Sequence, residues 1–185
     1  MPPPTNTLRL RDLDPSTVAL DTCTRLLDHV TGLLWPITPL GEPTTPGIDV
    51  DDLTSCQLYH SVRDLAGYAI RGGELDAPVQ EYLISLIPLY SAAFGEGTRD
   101  VDGLIESEPS TPLGVVIAAA VAREALVNGE AVTPAQMATL AGVDRDYVLK
   151  LAAAGDLPGA RQSTEGRRAW TVSAKGAKQW LATRG

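Results

Sequence analysis

The sequence predicts a mainly α chain in two parts: an N-terminal helical bundle-like domain over residues 1–129, and a small domain over 130–185 that combines short helices with a β-hairpin. Three observations lead there. Apolar residues recur at helical spacing between capping residues, prolines and glycines from Asp14 to Leu181. Two short strand-like runs flank a polar, basic stretch between Leu157 and Val172. Charge divides near the same boundary: residues 1–129 carry 7 Lys and Arg against 18 Asp and Glu, net −11, whereas residues 130–185 carry 8 against 5, net +3.

The first helix begins at Asp14, an N-cap carboxylate, and Pro15, a first-turn proline. It continues through Leu26, Leu27, Val30, Leu33 and Leu34 until Pro36 ends it. Four prolines and two glycines from Pro36 to Gly47 predict an extended surface loop. A second helix starts near Val50, places Leu58, Val62, Leu65, Ala66 and Ala69 on one face, and stops at Gly72 and Gly73. A third, Pro78 to Phe94, carries the broad stripe Val79, Tyr82, Leu83, Leu86, Ile87 and Tyr90. Gly95 to Pro112 is rich in Gly, Asp, Glu and Ser and predicts a second loop. Ser110 or Thr111 then caps a helix whose body, Leu113–Val127, is apolar except for Gly114, Arg123 and Glu124. Such a helix is expected to be buried all round, as the centre of the N-terminal part or the seam of a dimer, with Asn128 and Gly129 closing it.

Thr133 and Pro134 open a short helix, Ala135–Ala141, that stops at Gly142. Val143 plugs the turn, and Asp144 caps a second helix, Arg145 to Ala154, with Val148, Leu149 and Leu151 inward and Gly155 at its end. Two short helices around a glycine turn form a helix-turn-helix unit, whose second helix enters the major groove of DNA. Leu157–Arg161 and Arg168–Val172 read as the strands of a hairpin, with Trp170 and Val172 inward and Arg161, Arg167 and Arg168 crowding its tip and outer edge. This hairpin is the wing, and the fold expected is a winged helix-turn-helix. Ser173 caps a last helix in which Ala177, Trp180 and Leu181 share a face.

Residues Val132–Val143, then Arg145, Val148, Lys150 and Leu151, then Gly155–Pro158, and finally Trp170–Val172, Trp180 and Leu181 resemble the excisionase-like branch of the MerR-type winged helix-turn-helix proteins. The resemblance covers about 50 of 185 residues. It implies a sequence-specific DNA-binding protein, a bacterial transcriptional regulator acting on double-stranded DNA as a homodimer. By resemblance and geometry, Arg145 and Tyr147 are candidates for base or backbone contact, and Lys150 for phosphate contact. Arg161, Gln162, Arg167 and Arg168 would track the neighbouring backbone or enter the minor groove, with Lys175 and Lys178 adding phosphate contacts. Where the family usually has Ser or Thr and a second basic residue, this chain has Asp144, Asp146 and Tyr147. Asp144 serves as a cap, and Asp146 is expected to point away from DNA or to accept a hydrogen bond from a cytosine amino group.

Other classes are disfavoured by what the chain lacks. The N-terminus has no positive-then-apolar order and no apolar run spans a bilayer, so no membrane partner and a cytoplasmic location are expected. Arg outnumbers Lys 12 to 3, in keeping with a GC-rich bacterial genome. Cys23 and Cys56 are expected as free thiols, and a Cys2His2 metal site with His29 and His60 is disfavoured because Cys23 and His29 are poorly spaced for one helix face. No phosphate-binding glycine loop, Gly-x-Ser-x-Gly elbow or His-Glu-x-x-His is present, so neither catalysis nor a cofactor is expected. Two alternatives to a regulator remain. One is an antitoxin-like or adaptor protein whose acidic helical part binds a protein partner, and the other is an excisionase-like architectural factor that bends DNA.

Overall fold

The computed structural model describes residues 8–34, 50–94, 111–162 and 169–184; side chains at 30–34, 50 and 89–94 lie outside the description. The loop expected at 36–47, residues 95–110 of the second loop, the hairpin tip 163–168, and the side chains of Val30, Leu33, Leu34 and Tyr90 are therefore outside the described residues. Among the described residues the chain is mainly helical. A 3-10 turn at Leu10–Asp12 precedes α1 (Pro15–Leu34), α2 (Val50–Ser55), α3 (Gln57–Arg71), α4 (Val79–Phe94) and α5 (Pro112–Val127). Then come α6 (Pro134–Ala141), α7 (Arg145–Ala154), an antiparallel hairpin of β1 (Ala160–Gln162) and β2 (Trp170–Val172), and α8 (Ala174–Ala182).

The helix boundaries follow local chemistry. Asp14 caps α1: its Oδ2 accepts from the Thr17 backbone N–H at 2.8 Å and from the Thr17 hydroxyl at 2.9 Å. These bonds hold its carboxyl below the ordinary aspartate value. The single helix expected from Val50 to Gly72 is instead two, broken at Cys56, whose backbone is extended (φ −78°, ψ 151°). The hydroxyls of Thr54 and Ser55 fold back onto the carbonyls of Asp51 and Asp52 at 2.9 and 2.8 Å, competing with the ladder that would prolong α2. Helix α4 runs through Pro88, which has no N–H to give the preceding turn.

Two apolar clusters result. The first joins Val18, Ala19 and Cys23 of α1 to Tyr59, Val62, Leu65 and Ala66 of α3, Val79, Leu83 and Leu86 of α4, and the first two-thirds of α5. Every residue from Leu113 to Ala120 is buried, so all-round burial holds for this half of α5, while Val127 at its end is 71% exposed. Four alanines, Ala118, Ala119, Ala120 and Ala122, keep α5 slim where neighbouring helices close on it. The second cluster gathers Leu126 with Val132, Met137, Val148, Leu157, Val172, Ala177 and Trp180. Leu140 packs against both.

The two charged residues inside α5 each close a neighbouring helix. Arg123 Nε donates to the Ala69 carbonyl at 2.6 Å and its Nη2 to Ile70 at 3.0 Å, satisfying orphan acceptors at the C-terminal end of α3. Glu124 Oε1 accepts from the Val79 N–H at 2.9 Å, at the N-terminus of α4. A cation at a helix C-terminus and an anion at a helix N-terminus both follow the helix dipole. Burial draws the Arg123 guanidinium below its ordinary pKa, opposed by the Tyr68 phenol.

Arg123→Met keeps the aliphatic stem but removes both donors; with roughly 2–3 kcal/mol lost, Tm is expected to fall by about 5–10 °C in thermal denaturation. A fall below about 2 °C would mean that water replaces the guanidinium at these carbonyls.

Candidate nucleic-acid interface

The C-terminal part is built from caps outward. Thr133 and Gln136 form a reciprocal capping box at the start of α6, with Thr133 Oγ1 accepting from Gln136 N at 3.2 Å and Gln136 Oε1 accepting from Thr133 N at 2.7 Å. The buried Gln136 thereby gains a partner for its side-chain oxygen. At the other end Gly142 turns the chain with φ 63° and ψ 36°, a left-handed conformation that a Cβ would strain. The Val143 N–H then bonds back to Ala138 at 3.1 Å. Asp144 caps α7, its Oδ1 accepting from Asp146 N at 2.6 Å.

Val148 and Ala152 are the buried residues of α7, and Leu151 packs beside them. Leu149, expected inward, instead lies toward the flank of the helix, because at about 100° per residue the inward stripe passes through 148, 151 and 152. The opposite face, about 160–200° from Val148, presents Asp146 and Lys150, with Ala153 beside them. Arg145 and Tyr147 stand on opposite flanks of α7. Asp146 and Lys150 are four residues apart and share the outer face.

The hairpin is shorter than the sequence suggests. Leu157–Gly159 forms a turn, closed by Ala160 N to Leu157 O at 3.2 Å; the strand begins at Ala160, with one further bond across the hairpin from Ser173 N to Gly159 O at 3.0 Å. Pro158 has no N–H for a ladder and Gly159 has φ 71°, so neither continues a strand. The register pairs Ala160 with Val172, Arg161 with Thr171 and Gln162 with Trp170. Val172 is buried, Thr171 exposed and Trp170 half-buried, the alternation expected of β2. On its other side Val172 exchanges two backbone hydrogen bonds with Val132, at 2.8 and 2.9 Å, tying the hairpin to the chain just before α6. Gly176 is the contact that seats the hairpin base on α8: a Cβ there would overlap the Pro158 carbonyl.

Of the sequence-derived candidates, Arg145, Lys150, Arg161, Gln162, Lys175 and Lys178 are all exposed. The basic ones make no ion pair among the described residues, where the ion pairs are Arg11–Asp12, Arg25–Asp21 and Arg63–Asp64. Lys175 and Lys178 lie one turn apart on α8. Arg167 and Arg168 are outside the described residues. Tyr147, 41% exposed, is already engaged: its hydroxyl accepts from Arg184 Nη2 at 2.7 Å. The same guanidinium lies 4.3 Å from the Trp180 ring centroid and 5.1 Å from that of Tyr147. Sequence reasoning missed Arg184, which brings one more cation beside α7; the four-residue spacing from Trp180 was its only local sign. Among the described residues no group of three or more His, Cys, Asp or Glu is placed to hold a metal ion, and no helix is long and apolar enough to cross a membrane.

No protein-family model matches the chain, and no match is found among curated proteins or solved structures.

Gly176→Ala would gain helix propensity of about 1 kcal/mol in open space, but here the backbone of Pro158 occupies the position of the new methyl. The expected net loss is about 1–3 kcal/mol, read as a lower Tm and faster hydrogen exchange at Val172 and Ser173. Unchanged stability would show that the hairpin shifts freely relative to α8.

Proposed function

We propose that this protein is a sequence-specific DNA-binding protein, a bacterial transcriptional regulator acting as a homodimer, whose C-terminal part is a winged helix-turn-helix. In this reading α6 and α7 are the helix pair, α7 is the recognition helix, and the β1–β2 hairpin is the wing. The observation that carries the reading is the setting of α7. It is capped at both ends and anchored by Val148 and Ala152, with Arg145, Asp146 and Lys150 left exposed.

Exposed cations on three elements support it: Arg145 and Lys150 on α7, Arg161 on β1, and Lys175 and Lys178 on α8. Phosphate neutralised by such groups releases counterions, so affinity falls steeply with salt. Lys150 on the outer face suits phosphate or base contact, and Arg145 on one flank reaches toward one groove wall. Tyr147, oriented by Arg184, supports Arg184 as a backbone contact on the other flank. Asp146, beside Lys150, is assigned to a cytosine amino group, a pairing that tolerates an acid in the major groove. The net −11 of residues 1–129 keeps that part away from phosphate and leaves it to dimerisation or a partner.

Selection from a random duplex pool by the full-length chain should enrich a motif with two half-sites, followed by a steep negative salt dependence. Arg145→Ala is expected to weaken the selected site roughly 5- to 150-fold. Lys150→Ala should reduce the salt slope by about 1, both variants keeping the wild-type circular dichroism. No enrichment and no binding at low salt would overturn the reading and favour a protein partner for the acidic part.

A further inference from the structure

Cys23 on α1 and Cys56 at the junction of α2 and α3 stand 33 positions apart in sequence, yet their Sγ atoms lie 3.9 Å apart. Cys23 is 4% exposed, whereas Cys56 is partly open to solvent. No carboxylate or imidazole joins them in a metal-binding group among the described residues. Cys56 sits in extended backbone between two helices, with its Sγ held by the Tyr59 N–H at 3.4 Å. As the N-cap of α3 its backbone is fixed at both ends, the N–H bonding to Leu53 O and the carbonyl accepting from His60 N, each at 3.3 Å, so the approach falls to the side chains. We propose that Cys23 and Cys56 are a disulfide-forming pair, a modification site oxidised by hydroperoxides that staples α1 to the start of α3.

The approach required is small. A disulfide is about 2.05 Å long, so the sulfurs must close by roughly 1.9 Å. Rotation about the two Cα–Cβ bonds, with release of the Cys56 Sγ from the Tyr59 N–H, is the movement the bond requires.

The chemistry divides between the two thiols. Cys56, the more open partner, attacks a peroxide oxygen as thiolate; the O–O bond breaks, a sulfenic acid forms, and hydroxide leaves as water with the proton the thiol had released. Cys23 then attacks the Cys56 sulfur, the S–O bond breaks, and the Cys23 proton departs with the hydroxide as a second water. Overall two thiols lose two electrons and two protons, and hydrogen peroxide is reduced to two waters. Burial, reinforced by the neighbouring Cys56 thiol, pushes the Cys23 pKa up to about 12, so Cys23 attacks only as its proton passes to the departing hydroxide, and this second step is the slow one. The proposal does not rest on the reading of the C-terminal part.

The test uses the reduced full-length chain treated with hydrogen peroxide. Under denaturing conditions the oxidised chain should take up no alkyl group and weigh about 2 Da less than the unalkylated reduced chain, and peptide mapping should recover one cross-linked peptide joining Cys23 and Cys56. Because the bond closes a long loop, Tm should rise by about 5–10 °C, and dithiothreitol should reverse both changes. Cys23→Ala leaves Cys56 without a resolving thiol, so peroxide should add about 16 Da with no rise in Tm. Circular dichroism reports whether that variant folds, and if it does not, the wild-type measurements decide alone. Alkylation of both thiols after peroxide, a gain of about 16 or 32 Da mapped to Cys23 or Cys56, or a cross-link between two chains would each overturn the proposal.

Discussion

Helix α5 serves two cores at once, and the rest of the described structure depends on that. Its first half is enclosed by α1, α3 and α4, and its last turn supplies Leu126 to the cluster that holds α6, α7, the hairpin and α8. A helix in that position has little polar face to spare, which explains its run of Val, Ile, Leu and Ala. Its two charged residues are spent on neighbours' backbones and not on solvent. The N-terminal 3-10 turn adds to the same join, with Leu10 buried in the first cluster and Leu140 of α6 packed against both.

Much of this was legible in the sequence where local chemistry decides. Asp14, Thr111, Thr133, Asp144 and Ser173 all cap the helices their positions announced, because a cap needs only a side-chain oxygen and an N–H two or three residues on. The hairpin was legible from alternation and turn residues, though not its start, since Pro158 and Gly159 shorten β1. The break at Cys56 was not, because it depends on two hydroxyls that fold back in preference to solvating outward. Nor were long-range partners. Arg123 meets Ala69 54 positions away, Glu124 meets Val79 45 away, and Arg184 meets Tyr147 37 away, and no periodicity encodes such distances.

The candidate site was legible as a set of residue types and less so as an arrangement. The exposed cations stand on the three elements where they were expected, but the centre of the outer face of α7 belongs to Asp146 and Lys150, with Arg145 and Tyr147 on its flanks. Inward positions follow from apolar spacing; which polar residue is most outward depends on where that apolar stripe is centred. Exchanging Leu149 for Ala152 among the inward residues moves that centre by only about 10°, so the outward place of Asp146 and Lys150 was already contained in the apolar spacing.

The shared helix also limits modularity. The change in charge near residue 130 looks like a seam between interchangeable pieces, but the last turn of α5 lies on the far side of it as part of the second core. A recombination event that carried residues 130–185 into another protein would leave behind Leu126 and Ala125, and with them one wall of that core. The piece that can be inherited as a unit starts inside α5, so its border runs through a helix and not through a linker.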